Sequence, residues 1–148
     1  MNMPSYFENE NYENILIDHY VEELISSFVE FSDKNLKDEM ITTNNLRFLL
    51  RIRFSNNTTQ KDLANLFKVS DGYTAKILRN FEENGLIKRK EDPSNRRRKI
   101  VELTEKGIEK TEIIIKTIDE HEKQQSKNMN PDEFKQLKKL LYKFLTQN

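Results

Sequence analysis

The run Gly85-Leu-Ile-Lys-Arg-Lys-Glu-Asp-Pro-Ser-Asn-Arg-Arg-Arg-Lys-Ile-Val-Glu-Leu-Thr-Glu-Lys-Gly107 holds two short apolar stretches, Leu86-Ile87 and Ile100 to Leu103. Between them lies a tip of Asp92, Pro93, Ser94 and Asn95. Pro, Ser and Asn are turn formers for different steric and hydrogen-bonding reasons, so the run predicts a β-hairpin with a long loop. Arg96, Arg97, Arg98 and Lys99 leave that loop as four successive cations. Guanidinium groups on a hairpin tip suit a nucleic-acid minor groove or phosphate backbone.

The residues just upstream give the hairpin its context. Thr59 can cap a helix, with Asp62 in the capping-box position and Leu63, Ala64, Leu66 and Phe67 facing inward. Lys68-Val69 makes a short turn. Ser70 then caps a second helix, with Asp71 in its favourable first turn and Ala75, Ile77, Leu78 and Phe81 inward. Asn84-Gly85 stops it as a left-handed cap. Two short helices joined by a tight turn and followed by a basic hairpin form a winged helix-turn-helix. The second helix is of a width the major groove admits. Asp71, Gly72, Tyr73, Lys76, Arg79 and Asn80 lie away from its apolar stripe by helical phase, and together with Ser70 they are the candidate DNA contacts of this helix. Lys76 and Arg79 can donate to phosphate or guanine, Asn80 can pair with adenine, and Gly72 leaves room for backbone beside phosphate.

These residues resemble the MarR family of transcriptional regulators. The likeness rests on Thr59-Gln-Lys-Asp-Leu-Ala, on Val69-Ser70, on Leu78 to Arg89, and on Asp92-Pro-Ser-Asn-Arg-Arg-Arg-Lys through Leu-Thr-Glu-Lys-Gly107. The family's wing reads Asp-Pro-x-Asp-Arg-Arg-x-Lys, then Leu-Thr-x-x-Gly; here Asn95 replaces the second Asp. Gly72 and Tyr73 stand where relatives usually carry small hydroxyl residues. The likeness is close over 59–107 and extends to the flanking helices by order and length only. It implies a homodimer on a pseudo-palindromic double-stranded DNA operator, with Arg96 or Arg97 in the minor groove, Arg98 beside them, and Asp92 paired with a wing Arg. It also implies a small aromatic or amphipathic effector that releases DNA.

The expected fold class is mainly α with a small β-hairpin wing, in one domain over 1–148. The winged lobe is expected over 43–103 and dimerisation helices over 12–31 and 104–148. In the first of these, Ile17, Val21 and Leu24 recur at helical spacing; Ile114 and Ile118 do so after Thr104, and Leu137, Leu141 and Phe144 after the strong helix start Asn130-Pro131-Asp132-Glu133. These eight residues are the candidates for the dimer interface. A second helix is expected from about Thr43 to Phe54, with Leu46, Leu49, Leu50 and Phe54 inside, after a polar linker from Ser32 to Asp38. Residues 1–11 read as polar and loose.

Formal net charge is zero, but its distribution is uneven. Thr59 to Lys106 carries twelve Lys and Arg against eight Asp and Glu, a balance of +4; the remainder carries thirteen against seventeen, a balance of −4. Local potential decides binding, so a basic middle between acidic ends is compatible with DNA. The chain has no cysteine, which excludes disulfides, thiolate metal sites and thiol-based sensing. Residues 1–10 lack the basic start of a signal peptide, and no apolar run reaches membrane-spanning length, so the expected compartment is the cytoplasm, with no membrane partner. His19 near Glu22 and Glu23, and His121 near Glu120 and Glu122, read as surface histidines rather than metal ligands. No catalytic set, phosphate loop or cofactor signature is present, so an enzyme is not expected. The competing reading is a winged-helix protein–protein adaptor that binds no DNA, its basic wing incidental.

Overall fold

A computed structural model of the chain describes residue 7 and residues 12–146. The expected loose segment 1–11 lies, Phe7 apart, outside the described residues. The elements are α1 (Ile17–Asn35), α2 (Leu46–Phe54), α3 (Gln60–Phe67), α4 (Asp71–Glu83), β1 (Ile87–Asp92), β2 (Asn95–Leu103), α5 (Glu105–Gln125) and α6 (Pro131–Leu145). Among the described residues the fold is mainly helical with one two-stranded antiparallel sheet, as the sequence predicts.

The starts of α3, α4 and α6 are capped by the side chains of their own N-cap residues. At α3, Asp62 N donates to Thr59 Oγ1 at 3.2 Å while Thr59 N donates to Asp62 Oδ2 at 2.9 Å. At α6, the same box joins Asn130 and Glu133. Ser70 Oγ accepts from Tyr73 N at 3.1 Å at the start of α4. Helix α4 ends with Gly85 at φ 71°, Leu86 N donating to Phe81 O at 2.8 Å and Gly85 N to Glu82 O at 3.0 Å. That is a Schellman motif, in which a left-handed glycine satisfies the last free carbonyls. The turn between α3 and α4 requires Lys68 itself to adopt φ 53°.

The core gathers Phe48, Leu49 and Ile52 of α2 with Leu63, Leu78, Phe81, Leu86 and Val101. Here Phe54 and Leu66 depart from expectation. Both are exposed, at 70% and 46%, because each helix is short and its core stripe is already filled by neighbours one turn away. Helix α1 also runs through the expected linker to Asn35. Ser32 is buried, donates to Val29 O at 3.0 Å, and lies 2.7 Å from Thr43 Oγ1, so its hydroxyl is satisfied inside the helix rather than by solvent. Arg53 of α2 fastens the lobe to α5, donating to Ile108 O at 3.2 Å, Thr111 Oγ1 at 2.7 Å and Glu112 Oε1 at 2.5 Å.

One histidine and one isoleucine also depart from expectation. His121 is buried, not on the surface: its Nε2 lies 2.9 Å from Ser27 Oγ, and its ring packs against Phe28 and Phe31 at 5.4 and 5.2 Å. Ile114 is 1% exposed in the protomer's own core, so it has no surface left for a second subunit. Ile118 is partly buried against that core.

Candidate nucleic-acid interface

The strands reach further toward the tip than expected. Ile87 pairs with Leu103 and the register runs unbroken to Glu91 with Lys99; a bulge follows, and Asp92 pairs with Asn95. Pro93 and Ser94 alone form the turn, and Arg96 to Lys99 lie in β2 rather than in a loop. Successive strand residues point to opposite faces, so the four cations divide into two pairs by parity. Ion pairs Lys99–Glu91, at 2.8 Å, and Lys90–Glu102 cross between the two strands.

The turn is held by Asp92, which is 6% exposed. Its Oδ1 accepts from Ser94 N at 2.9 Å and Ser94 Oγ at 2.6 Å, and its Oδ2 from Arg98 Nη1 at 3.4 Å. The Ser94 hydroxyl, then the Ser94 amide, hold the Asp92 carboxyl below its ordinary range, with a smaller contribution from Arg98. At the tip, Asn95 Oδ1 accepts from Arg97 N at 3.2 Å.

Arg98 therefore does not stand with Arg96 and Arg97. Its Nη2 donates to Asp62 Oδ2 at 3.1 Å and to Asn57 O at 3.3 Å, in addition to its bond to Asp92. Arg98, expected beside the groove contacts, thus differs from them in having its guanidinium bonded within the lobe while its side chain stays 44% exposed. Arg96 and Arg97 are exposed, and their side chains make no hydrogen bond or ion pair among the described residues.

On α4, Asp71, Gly72, Tyr73, Lys76, Arg79 and Asn80 are all exposed, and Thr74, Ile77, Leu78 and Phe81 are buried. Ala75, expected inward, is half-buried. Lys76 and Arg79 side chains make no ion pair among the described residues, as for the wing tip. Tyr73 is 42% exposed and its ring lies edge-on to Phe48 at 6.4 Å, so it is steadied from beneath and open above. A Cβ on Gly72 would meet nothing within 4 Å, so no packing demand explains glycine there.

The base of the wing is joined to the start of α3. Val101 N donates to Thr58 O at 2.9 Å, Thr59 bridges to Ile100, and Arg89 Nη1 donates to Gln60 Oε1 at 3.3 Å. Sequence reading misses Arg89, Asn57 and Asp62 as parts of this joint; only the capping role of Asp62 is readable.

Among the expected interface residues, Ile17, Val21 and Leu24 of α1 and Leu137, Leu141 and Phe144 of α6 are exposed at 40–60%. Helix α6 has no buried residue. No helix among the described residues is long and apolar enough to cross a membrane.

Comparison with known proteins agrees with this geometry. The MarR family model matches residues 41–99. The HTH-type transcriptional regulator BilQ of Clostridioides difficile (strain CD3) is 24% identical over 136 residues, covering 92% of this chain and 90% of that protein. A crystal structure of MarR superposes with a TM-score of 0.78 at 31% identity, covering 88% of this chain and 89% of the other. A MepR–DNA complex from S. aureus superposes with a TM-score of 0.69 at 25% identity, covering 89% and 98%. With a winged helix-turn-helix built from these residues and this similarity along nearly its whole length, the chain belongs to the MarR family of transcriptional regulators, which are not enzymes.

Proposed function

We propose that the chain is a homodimeric, sequence-specific DNA-binding regulator that represses its own or neighbouring genes in the cytoplasm. The observation that carries this reading is the contrast in cation use on the winged lobe. Lys76, Arg79, Arg96 and Arg97 are exposed with unpaired side chains among the described residues, while Arg89, Arg98 and Lys99 are tied down. Unpaired cations on a rigid frame are what a phosphate backbone requires. A relative with a similar fold is seen bound to DNA, which supports the same use here.

Two such lobes, joined through 12–31 and the helices after 104, would set their α4 helices in successive major grooves about 34–36 Å apart. The exposed apolar residues of α1 and α6 support the joint, since a lone protomer would leave them in water. A small aromatic or amphipathic effector would act between lobe and dimer helices. At that junction a cavity of about 320 Å³ is lined by Leu36, Ile41, Ile113 and Ile114, with the Asp38–Lys110 ion pair beside them.

The test is a mobility-shift titration of the purified protein against its own promoter DNA at several salt concentrations. A shift weakened by salt is expected. Failure to shift any duplex, at low salt as well as high, would sink the reading and favour an adaptor.

A further inference from the structure

We propose that Arg98, held by Asp62, is a positioning residue for DNA binding: it locks the outer half of the wing to α3 and so sets the reach of Arg96 and Arg97. This rests on the DNA-binding reading above and adds to it a residue that works without touching DNA.

The four cations of β2 look equivalent in sequence, and the structure separates them. Arg98 alone gathers acceptors from three segments: Asn57 O before α3, Asp62 Oδ2 in its first turn, and Asp92 Oδ2 at the wing turn. Both carboxylates are fixed before Arg98 arrives. Asp62 Oδ2 already accepts from Thr59 N at 2.9 Å and Thr59 Oγ1 at 2.8 Å, while Asp92 Oδ1 accepts twice from Ser94. An isolated exposed ion pair contributes little, because ordering two long side chains offsets the attraction. Here only one side chain needs ordering, and a planar fork meets acceptors that are already in place.

Position along the wing gives this anchor its consequence. The backbone ties to the lobe end at Ile100 and Val101. Beyond them the strand would run as a free ribbon through Arg96 to Lys99, about 13 Å at strand rise. A two-stranded ribbon is marginal by itself. Arg98 is the lobe anchor nearest the tip, one residue from Arg97 and two from Arg96. Without it the tip cations would have to be ordered on binding, which lowers affinity.

The experiment measures anisotropy of a labelled duplex that the wild-type full-length protein binds, alongside amide hydrogen exchange of the free protein. Arg98→Ala is expected to weaken binding about tenfold, the scale of one charge-assisted hydrogen bond. Arg98→Lys should be nearly as weak, since an ammonium cannot span the three acceptors; a plain phosphate contact would survive that change. Asp62→Asn should also weaken binding, although removing an anion near DNA would strengthen it by charge alone. In an Arg96→Ala, Arg97→Ala background, Arg98→Ala should cost less than about twofold, because residues acting as one unit are not additive. Amides of Asn95 to Lys99 should exchange faster in Arg98→Ala with no DNA present.

Wild-type affinity in Arg98→Lys, full additivity in the triple variant, or unchanged exchange at the tip would each overturn the proposal. If Asp62→Asn proves unfolded, the Arg98 variants still decide. If the wild type binds no duplex, the DNA reading fails by itself, and exchange at the tip still decides whether Arg98 holds the wing.

Discussion

Gly107 packs directly against the carbonyl oxygen of Leu86, so closely that a Cβ on Gly107 would collide with it. The same oxygen accepts from Thr104 N at 3.0 Å, Thr104 Oγ1 donates to Gly85 O at 2.5 Å, and Lys106 Nζ donates to Asn84 O at 2.9 Å. Three successive carbonyls at the end of α4 thus receive the first turn of α5. The helix that would read DNA is joined to the long helix behind it through an approach only glycine permits.

Gly107→Ala should therefore destabilise the protein, by about 1–3 kcal/mol as overpacking against an immobile group does. Urea denaturation should show a lower midpoint with an unchanged slope. An unshifted midpoint would mean that the α4–α5 joint yields without cost.

Gly72→Ala should do the reverse. Its Cβ would stand in open space in the first turn of α4, so the substitution recovers helix propensity of up to about 1 kcal/mol. If glycine serves close approach of backbone to phosphate, the more stable protein should bind DNA less well. Thermal melting and duplex titration on the same preparation check both halves. Higher stability with unaltered affinity would remove Gly72 from the interface.

What can be read from the chain follows from how local each interaction is. The boxes at Thr59–Asp62 and Asn130–Glu133 and the left-handed Gly85 close within a few residues, and they stand where the sequence puts them. The wing is legible as a hairpin because its turn residues are adjacent. Ser32 reads as linker because its partner, Thr43, is 11 residues away, and His121 as surface because Ser27 is 94 away. The division of labour among Arg96, Arg97 and Arg98 hangs on Asp62, 36 residues from Arg98. Periodicity locates the apolar faces of the terminal helices but does not say that Ile114 faces its own core while Leu137 faces out.

His121 makes stability depend on pH near neutrality. Burial pushes its pKa below the ordinary 6.5, against a smaller opposing pull from Glu122. Below 6.5 the unfolded chain takes up the proton and the folded chain resists it, so stability is complete above that value and declines as pH falls through it. Melting temperature should drop between roughly pH 7.5 and 5.5, and His121→Gln should flatten that part of the curve. An equally steep decline in the variant would assign the effect elsewhere.

Arg96 and Arg97 should carry the salt dependence of the wing. Replacing both with Ala should weaken operator binding, and the slope of log affinity against log salt should fall by about 0.9 for each phosphate no longer neutralised. Both side chains are exposed and unpaired among the described residues, so melting temperature should not change. Unchanged affinity would count against the wing as a DNA-binding element.

Leu137 and Leu141 offer the sharpest check on the dimer. They lie one turn apart on α6, each 40% exposed, on a helix with no buried residue. Changing both to Glu should leave the protomer folded, because neither belongs to its core. In a homodimer the same change places four carboxylates in an apolar interface and removes the burial of four leucines. The dimer dissociation constant should rise by about 100-fold or more. Sedimentation velocity at micromolar concentration should then show a folded monomer, and circular dichroism should retain the helical signal. DNA affinity should collapse with dimerisation, since a monomer addresses one half-site only. A double variant that still sediments as a tight dimer would place the interface away from α6.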